Sequence, residues 1–231
     1  MPRLQRPRTR ASRPPARTRA PCVAGSRVRR GPPSRTSPRA PGAQTPLSAA
    51  QAGPIAIPAP SPPAPFPPSA PTACTVTDLV PVDANLAAVN AATLCLVNRE
   101  RATRGLSALI DQPQLAQAAL RHGQDMIARN YFDHQGPAGD TPFSRIRDSG
   151  FIPAASTSFE VGENIAWGSG VRATAAEIVA AWIASPEHLA NILDANYVYS
   201  GISVEPSVPA AVSAGEVGAT FTQDFGVTSG P

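Results

Sequence analysis

Tyr131-Phe132-Asp133-His134, Gly162-Glu163-Asn164-Ile165-Ala166 and Ser185-Pro186-Glu187-His188-Leu189-Ala190-Asn191-Ile192-Leu193 contain two of the chain's three histidines and, between them in sequence, an acid. Imidazole and carboxylate are the side chains that hold a divalent ion or move a proton near neutral pH. Neutral His134 and His188 would supply nitrogen ligands to Zn²⁺ or a similar ion. Glu163 would be a third ligand, or the acceptor that orients one imidazole from behind. Such a set leaves coordination positions to water, which suits a weak or catalytic site better than a closed structural one. The competing chemistry is acid–base, with Glu163 orienting an imidazole that activates water. On that reading Glu163 and His188 are the catalytic candidates. A structural reading also stands: the histidines cross-link helices through hydrogen bonds to Glu163 and to backbone.

Nucleophilic catalysis draws little support. Ser185 lies near His188, but no Gly-x-Ser-x-Gly elbow occurs, and a Ser before Pro186 is accounted for as a helix N-cap. The helical His-Glu-x-x-His signature of metalloproteases is absent. Glu187 could add a carboxylate to the cluster. Neighbours on a helix point about 100° apart, so a first-turn acid facing water is the preferred reading.

The chain that must position these residues has 231 residues and divides near residue 73. Residues 1–73 hold 12 of the 20 basic residues, 19 of the 28 prolines and no acid; residues 74–231 hold all 16 acids. The pI near 9.5 therefore belongs to the leader, and it gives no reason to expect a nucleic-acid partner for the acidic remainder. Every basic residue is Arg, which with the abundance of Ala and Pro points to a GC-rich bacterial coding sequence. Such a leader cannot bury enough apolar surface to offset its ordering entropy, so residues 1–73 are expected to be disordered, polyproline-like from Pro54 to Pro71. No continuous apolar run of signal-peptide type precedes the domain, the best stretch being Leu47 to Ile57, and nothing reaches the ~20 apolar residues of a membrane span.

Residues 74–231 suit one domain with one core. The Cys74 and Cys95 thiols would pair in an oxidising compartment, stapling the N-terminal segment to the first helix for about 3 kcal/mol; in a reducing one they would stay as half-buried thiols. Apolar periodicity predicts helices over 84–104, capped by Asp83 and stopped by Gly105, and over 112–130, opened by Pro113. His122 falls on the apolar stripe of the second helix and is expected to be a hydrogen-bonded core histidine. Further helices are predicted over 141–149, ended by Gly150, over 173–184, and over 186–193 after the break at Pro186. Tyr197 to Val204 and Ala219 to Val227 read as antiparallel strands joined by a loop over 206–218. Without βαβ regularity the class is α+β.

One ordered series of motifs carries a family resemblance. It runs Asn98-Arg99-Glu100-Arg101 with Gly105, Leu115…Ala118-Ala119…His122…Asp125-Met126, and Tyr131–His134. It continues through Gly162–Ala166, Ala181–Leu193 and Thr222-Gln223-Asp224-Phe225-Gly226. Over roughly 84–227 the chain resembles a bacterial-type domain of the CAP superfamily (cysteine-rich secretory, antigen 5 and pathogenesis-related proteins; SCP-like extracellular domains). The resemblance implies an α-β-α sandwich with a central antiparallel sheet, and a surface cleft in which His134, Glu163 and His188 meet. Animal and plant members have a second Glu a few residues after a Trp; here that place, after Trp182, is Ser185. Bacterial members commonly have Ser-Pro-Gly-His where this chain has Glu187 before His188.

The resemblance implies a secreted or envelope-associated protein that acts mainly by binding a lipid, a glycan or a protein, and leans away from an enzyme. No cofactor is required; Zn²⁺ or another divalent metal would act as a modulator. The alternatives are a metal-dependent hydrolase of peptides or cell-wall material, and a structural or interaction module tethered by its Arg/Pro-rich leader. A monomer is expected.

Overall fold

A computed structural model of the chain describes residues 22–30, 73–213 and 215–229. The expected polyproline stretch Pro54–Pro71, with the rest of 1–21 and 31–72, lies outside the described residues. The elements in chain order are β1 (Cys22–Arg30), α1 (Leu86–Thr103), β2 (Ile110–Asp111), α2 (Pro113–Ala128), α3 (Pro142–Asp148), β3 (Ser158–Ser169), α4 (Ala175–Ala184), α5 (Pro186–Ile192), β4 (Tyr199–Glu205) and β5 (Gly218–Ser229). The class is α+β, as expected.

Local chemistry sets the helix ends. The Thr141 hydroxyl accepts from the Ser144 N–H at 3.2 Å while Ser144 Oγ accepts from the Thr141 N–H at 2.8 Å, a reciprocal cap on α3. Pro113, Pro142 and Pro186 each open a helix where no N–H is needed. Gly105 and Gly150 follow α1 and α3 with φ of 70° and 83°, as their stop roles require. The start of α1 differs from expectation. Asp83 opens a 3₁₀ turn, Asp83–Asn85, and Asn85 ties the entry by accepting from the Val82 N–H at 2.8 Å and donating to the Val80 carbonyl at 3.0 Å.

The sheet order is β1-β3-β5-β4-β2. Four strands are antiparallel to their neighbours; the two-residue β2 adds a parallel pairing beside β4, so the sheet is mixed rather than purely antiparallel. The expected antiparallel pair is β4 with β5, Tyr199 standing opposite Gly226 and Glu205 opposite Thr220. Alternation along the strands divides the interior into two cores. Ala166, Ile202, Val204, Phe221 and Phe225 face Val89, Val97, Ile178, Trp182 and Ile192 of α1, α4 and α5. On the opposite face Phe159 and Val161 meet Leu115, Ala118 and Ile146 of α2 and α3. Helix α2 can lie so close to β4 because Gly201 has no Cβ; one added there would collide with the Ala116 backbone. The Cys74–Cys95 disulfide is formed, with Cα atoms 5.7 Å apart, and anchors the segment before α1 to that helix. No described helix is long and apolar enough to cross a membrane.

Residues 22–30, within the leader expected to be disordered, form an edge strand paired antiparallel with β3. Composition argues against a core of the leader's own; it says nothing about a strand that borrows the hydrogen bonds of an existing sheet edge.

Candidate functional site

Strand β3 carries the Gly-Glu-Asn motif through the middle of the sheet. Its pleat sends Glu163 toward α2 and α3 and Asn164 toward α5. Glu163 is fully buried. Its Oε1 lies 2.7 Å from His134 Nδ1 and its Oε2 accepts from Arg145 Nη2 at 2.8 Å. His122 Nε2 stands 3.7 Å from the same Oε1, and the opposite residue of β5 is Asp224, also fully buried. Arg145 reaches outward too, donating from Nη1 to Asp140 at 2.8 Å and from Nη2 to the His134 carbonyl at 2.9 Å. That second bond fixes the loop bearing His134, whose side chain is 12% exposed and brings the cluster to the surface.

The electrostatics follow from this packing. Burial alone would raise the Glu163 pKa. The charges of His122 and Arg145, with the hydrogen bond from His134, pull it down to about 2. Burial also lowers the His122 pKa; the Glu163 charge opposes that fall, and the charges of Arg145 and His134 add to it. Asp224 moves the other way: burial raises its pKa well above the usual carboxylate value, and the neighbouring Glu163 charge raises it further. The same burial therefore acts on the two acids in opposite senses: Glu163 is held ionised by its cationic and hydrogen-bonding partners, while ionisation of Asp224 is disfavoured by burial and by the charge of Glu163.

His188 is carried by α5, whose backbone is tied to the strand. Its carbonyl accepts from Asn164 Nδ2 at 3.2 Å, and Asn191, one turn on, donates to the Glu163 carbonyl at 3.1 Å. The His188 ring meets Ser185, Nδ1 to Oγ at 2.7 Å. Ser185 occupies the N-cap position of α5, but its hydroxyl makes no cap bond, so capping does not account for it; the imidazole does. Glu187 is exposed in the first turn of α5, the orientation preferred from sequence. The structure thus brings His134 and Glu163 into direct contact, and links His188 to them through the backbone ties of Asn164 and Asn191.

Arg145, Asp224 and Asp140 were not among the sequence candidates, and His122 was read only as a core residue. Asp224 stood in a motif, and a buried acid in a strand motif is a signal that could have been used. Nothing in the spacing around Arg145 pointed to it.

A divalent metal held directly by His134, His188 and Glu163 does not fit this donor set. Both Glu163 oxygens are committed, one to a guanidinium whose charge would repel an ion. No group of three His, Cys, Asp or Glu side chains among the described residues is placed to hold one.

The model of the cysteine-rich secretory protein (CAP) family matches residues 94–224. The uncharacterized protein YkwD of Bacillus subtilis is 35% identical over 130 residues, covering 56% of this chain and 44% of that protein. The chain thus matches under half the length of that curated relative. Among solved structures, an extracellular SCP-domain protein of Bacillus anthracis is 23% identical with a TM-score of 0.45, covering 62% of this chain and 40% of its own. An outer surface protein of Borrelia burgdorferi is 19% identical with a TM-score of 0.46, covering 59% and 90%. The chain belongs to the cysteine-rich secretory protein family.

Proposed function

We propose that this family member is an extracellular or envelope-associated binding domain that holds the apolar part of a lipid-like ligand between α1 and α2. The carrying observation is a groove of two adjoining cavities, about 550 and 480 Å³, that share Asn90, Asp111, Ala116 and Ile202. Leu86, Leu94, Leu120 and Val204 add apolar walls, and Glu205, whose pKa burial raises, adds a polar group at one end. Apolar walls with a few convergent polar groups are the usual make-up of a small-molecule site. The Cys74–Cys95 disulfide supports an oxidising compartment.

The hydrolase alternative is disfavoured by the chemistry of Glu163. A buried carboxylate with a pKa of about 2 and both oxygens engaged is a weak general base. The test is titration of the chain with a fluorescent fatty acid, beside Ala116→Trp, which fills the groove. Saturable binding that weakens at least tenfold in the variant, with circular dichroism unchanged, is expected. Equal binding by both proteins would sink the reading.

A further inference from the structure

Strand β1 is held by more than backbone pairing. Arg27 and Arg29 lie on the face of β1 that continues the Glu160-Gly162-Asn164 face of β3, standing opposite Gly162 and Glu160. Arg29 Nε is 2.7 Å from Glu160 Oε1, and its Nη2 is 2.9 Å from Asp194 Oδ2. Arg27 Nη1 meets the same Asp194 oxygen at 2.6 Å, with its guanidinium carbon 5.6 Å from the Tyr197 ring centroid. Its other nitrogens donate to Asn191 Oδ1 at 3.1 Å and to the Ala190 carbonyl at 2.7 Å, in the last turn of α5 where the helix dipole favours a cation.

The receiving side is built from the body of the fold. The Glu160 and Asp194 side chains are only 8% and 7% exposed, yet Asn196 is the neutral donor on Glu160, and Arg101 reaches the Asp194 carbonyl oxygen rather than its carboxylate. Among the described residues, the guanidinium groups placed on these two carboxylates are those of β1. Two nearly buried acids side by side, at the end of a helix and along a sheet edge, form a receptor whose countercharges arrive on a separate strand. An edge strand with pockets for alternate side chains is the arrangement by which sheets capture extended peptides. Residues 31–72 join this strand to the rest of the chain, a contour of roughly 140 Å at 3.3 Å per residue.

We propose that the outer edge of β3, together with Glu160, Asp194 and the carbonyl end of α5, is a docking site for an extended segment with arginine at every second position. Residues 22–30 are its resident ligand in cis, exchangeable for the same sequence supplied in trans. The site lies apart from the groove between α1 and α2 and does not depend on the binding role assigned to it. It does abut the helix that carries His188, so occupancy of the edge holds that helix in place.

The experiment uses the full chain and a labelled peptide of residues 22–30. In the intact protein the tether gives the resident strand an effective concentration near millimolar, so the peptide competes poorly. Arg27→Glu with Arg29→Glu places like charge against Glu160 and Asp194 and expels the strand. Three results are expected: amides of 158–166 exchange at least tenfold faster in the variant, the peptide binds the variant at least tenfold tighter than the wild type, and bound peptide restores the protection. A peptide carrying the same two reversals should not bind. Should the charge reversal prevent folding, Arg27→Ala with Arg29→Ala serves for the same readouts. Unchanged exchange over 158–166, or a peptide that binds equally well with and without its arginines, overturns the proposal.

Discussion

Replacing Arg145 with Met tests the electrostatic account of the site most directly. Met keeps much of the aliphatic stem but removes the guanidinium from Glu163 Oε2, from Asp140 and from the His134 carbonyl. Arg145 is 8% exposed and Glu163 fully buried, so solvent screening is slight. Breaking one partner of such a pair costs about 3–5 kcal/mol, a large part of the roughly 5–15 kcal/mol that holds a domain folded. With a urea m-value near 2 kcal/mol/M, the unfolding midpoint should fall by roughly 2 M. The pH dependence supplies the sharper test. In the wild type, Glu163 moves from 4.5 unfolded to about 2 folded, so its ionised form stabilises the fold above about pH 4.5 and that contribution fades as pH falls toward 2. Without Arg145 the folded-state pKa rises, and below that raised value Glu163 takes a proton and needs no countercharge. The deficit of Arg145→Met should therefore be largest at pH 7 and shrink by pH 4. Glu163→Gln in the same chain should recover part of the loss at pH 7. A deficit under about 1 kcal/mol at pH 7, or one equal at pH 7 and pH 4, would refute the pairing.

Asp224 should show the opposite slope. Its folded-state pKa is raised, so the stability tied to its proton is fully present below the unfolded pKa and is lost as pH climbs toward the folded value. Asp224→Asn, neutral at every pH, should gain on the wild type in urea unfolding as pH rises above 4; a wild type that gains on the variant contradicts the upward shift of Asp224. Cys74→Ser with Cys95→Ser should lower stability by about 3 kcal/mol, near 10 °C in melting temperature, with no further loss on adding reductant. A melting curve unmoved by the double change would show that the staple carries no stability.

Much of this fold was legible because its helices announce themselves. Pro113, Pro142 and Pro186 open helices, Gly105 and Gly150 close them, and α1, α2 and α4 show apolar faces at three- and four-residue spacing. Strands β4 and β5 were legible from their aromatic and β-branched runs. Strand β3 was not assigned, although it carries the central motif. Phe159 to Ser169 has both faces buried, so its polar residues, Glu160, Glu163 and Asn164, point into the protein and erase the alternation that marks a half-exposed strand. Strand β1 was hidden because its stability lies in partners more than 130 positions away, Glu160 and Asp194. At the site, His134 and Glu163 were found because their types are chemical and their motifs distinctive. Arg145 escaped because an arginine in a short amphipathic helix looks like any solvated charge until the sheet is placed beneath it.

The same placement explains what the Gly-Glu-Asn motif does. Gly162 leaves room for the Tyr197 hydroxyl, which an added Cβ would strike; Glu163 turns to Arg145 and His134 on one face; Asn164 turns to the His188 carbonyl and to Asn191 on the other. A one-residue slip of β3 would exchange the two faces. Glu163 would then enter the core beneath α5 without a cation, while Arg145 would lose the buried carboxylate that balances it. Misregistered pairing is therefore penalised on both faces at once, by an unpaired buried charge on each. A carboxylate used in this way must be permanently ionised and fully engaged, which a pKa near 2 and two occupied oxygens provide. Those same properties make it a poor base and a poor metal ligand. The burial and pairing that let Glu163 fix the register of the sheet are thus what leave His134, rather than Glu163, as the cluster's face to solvent.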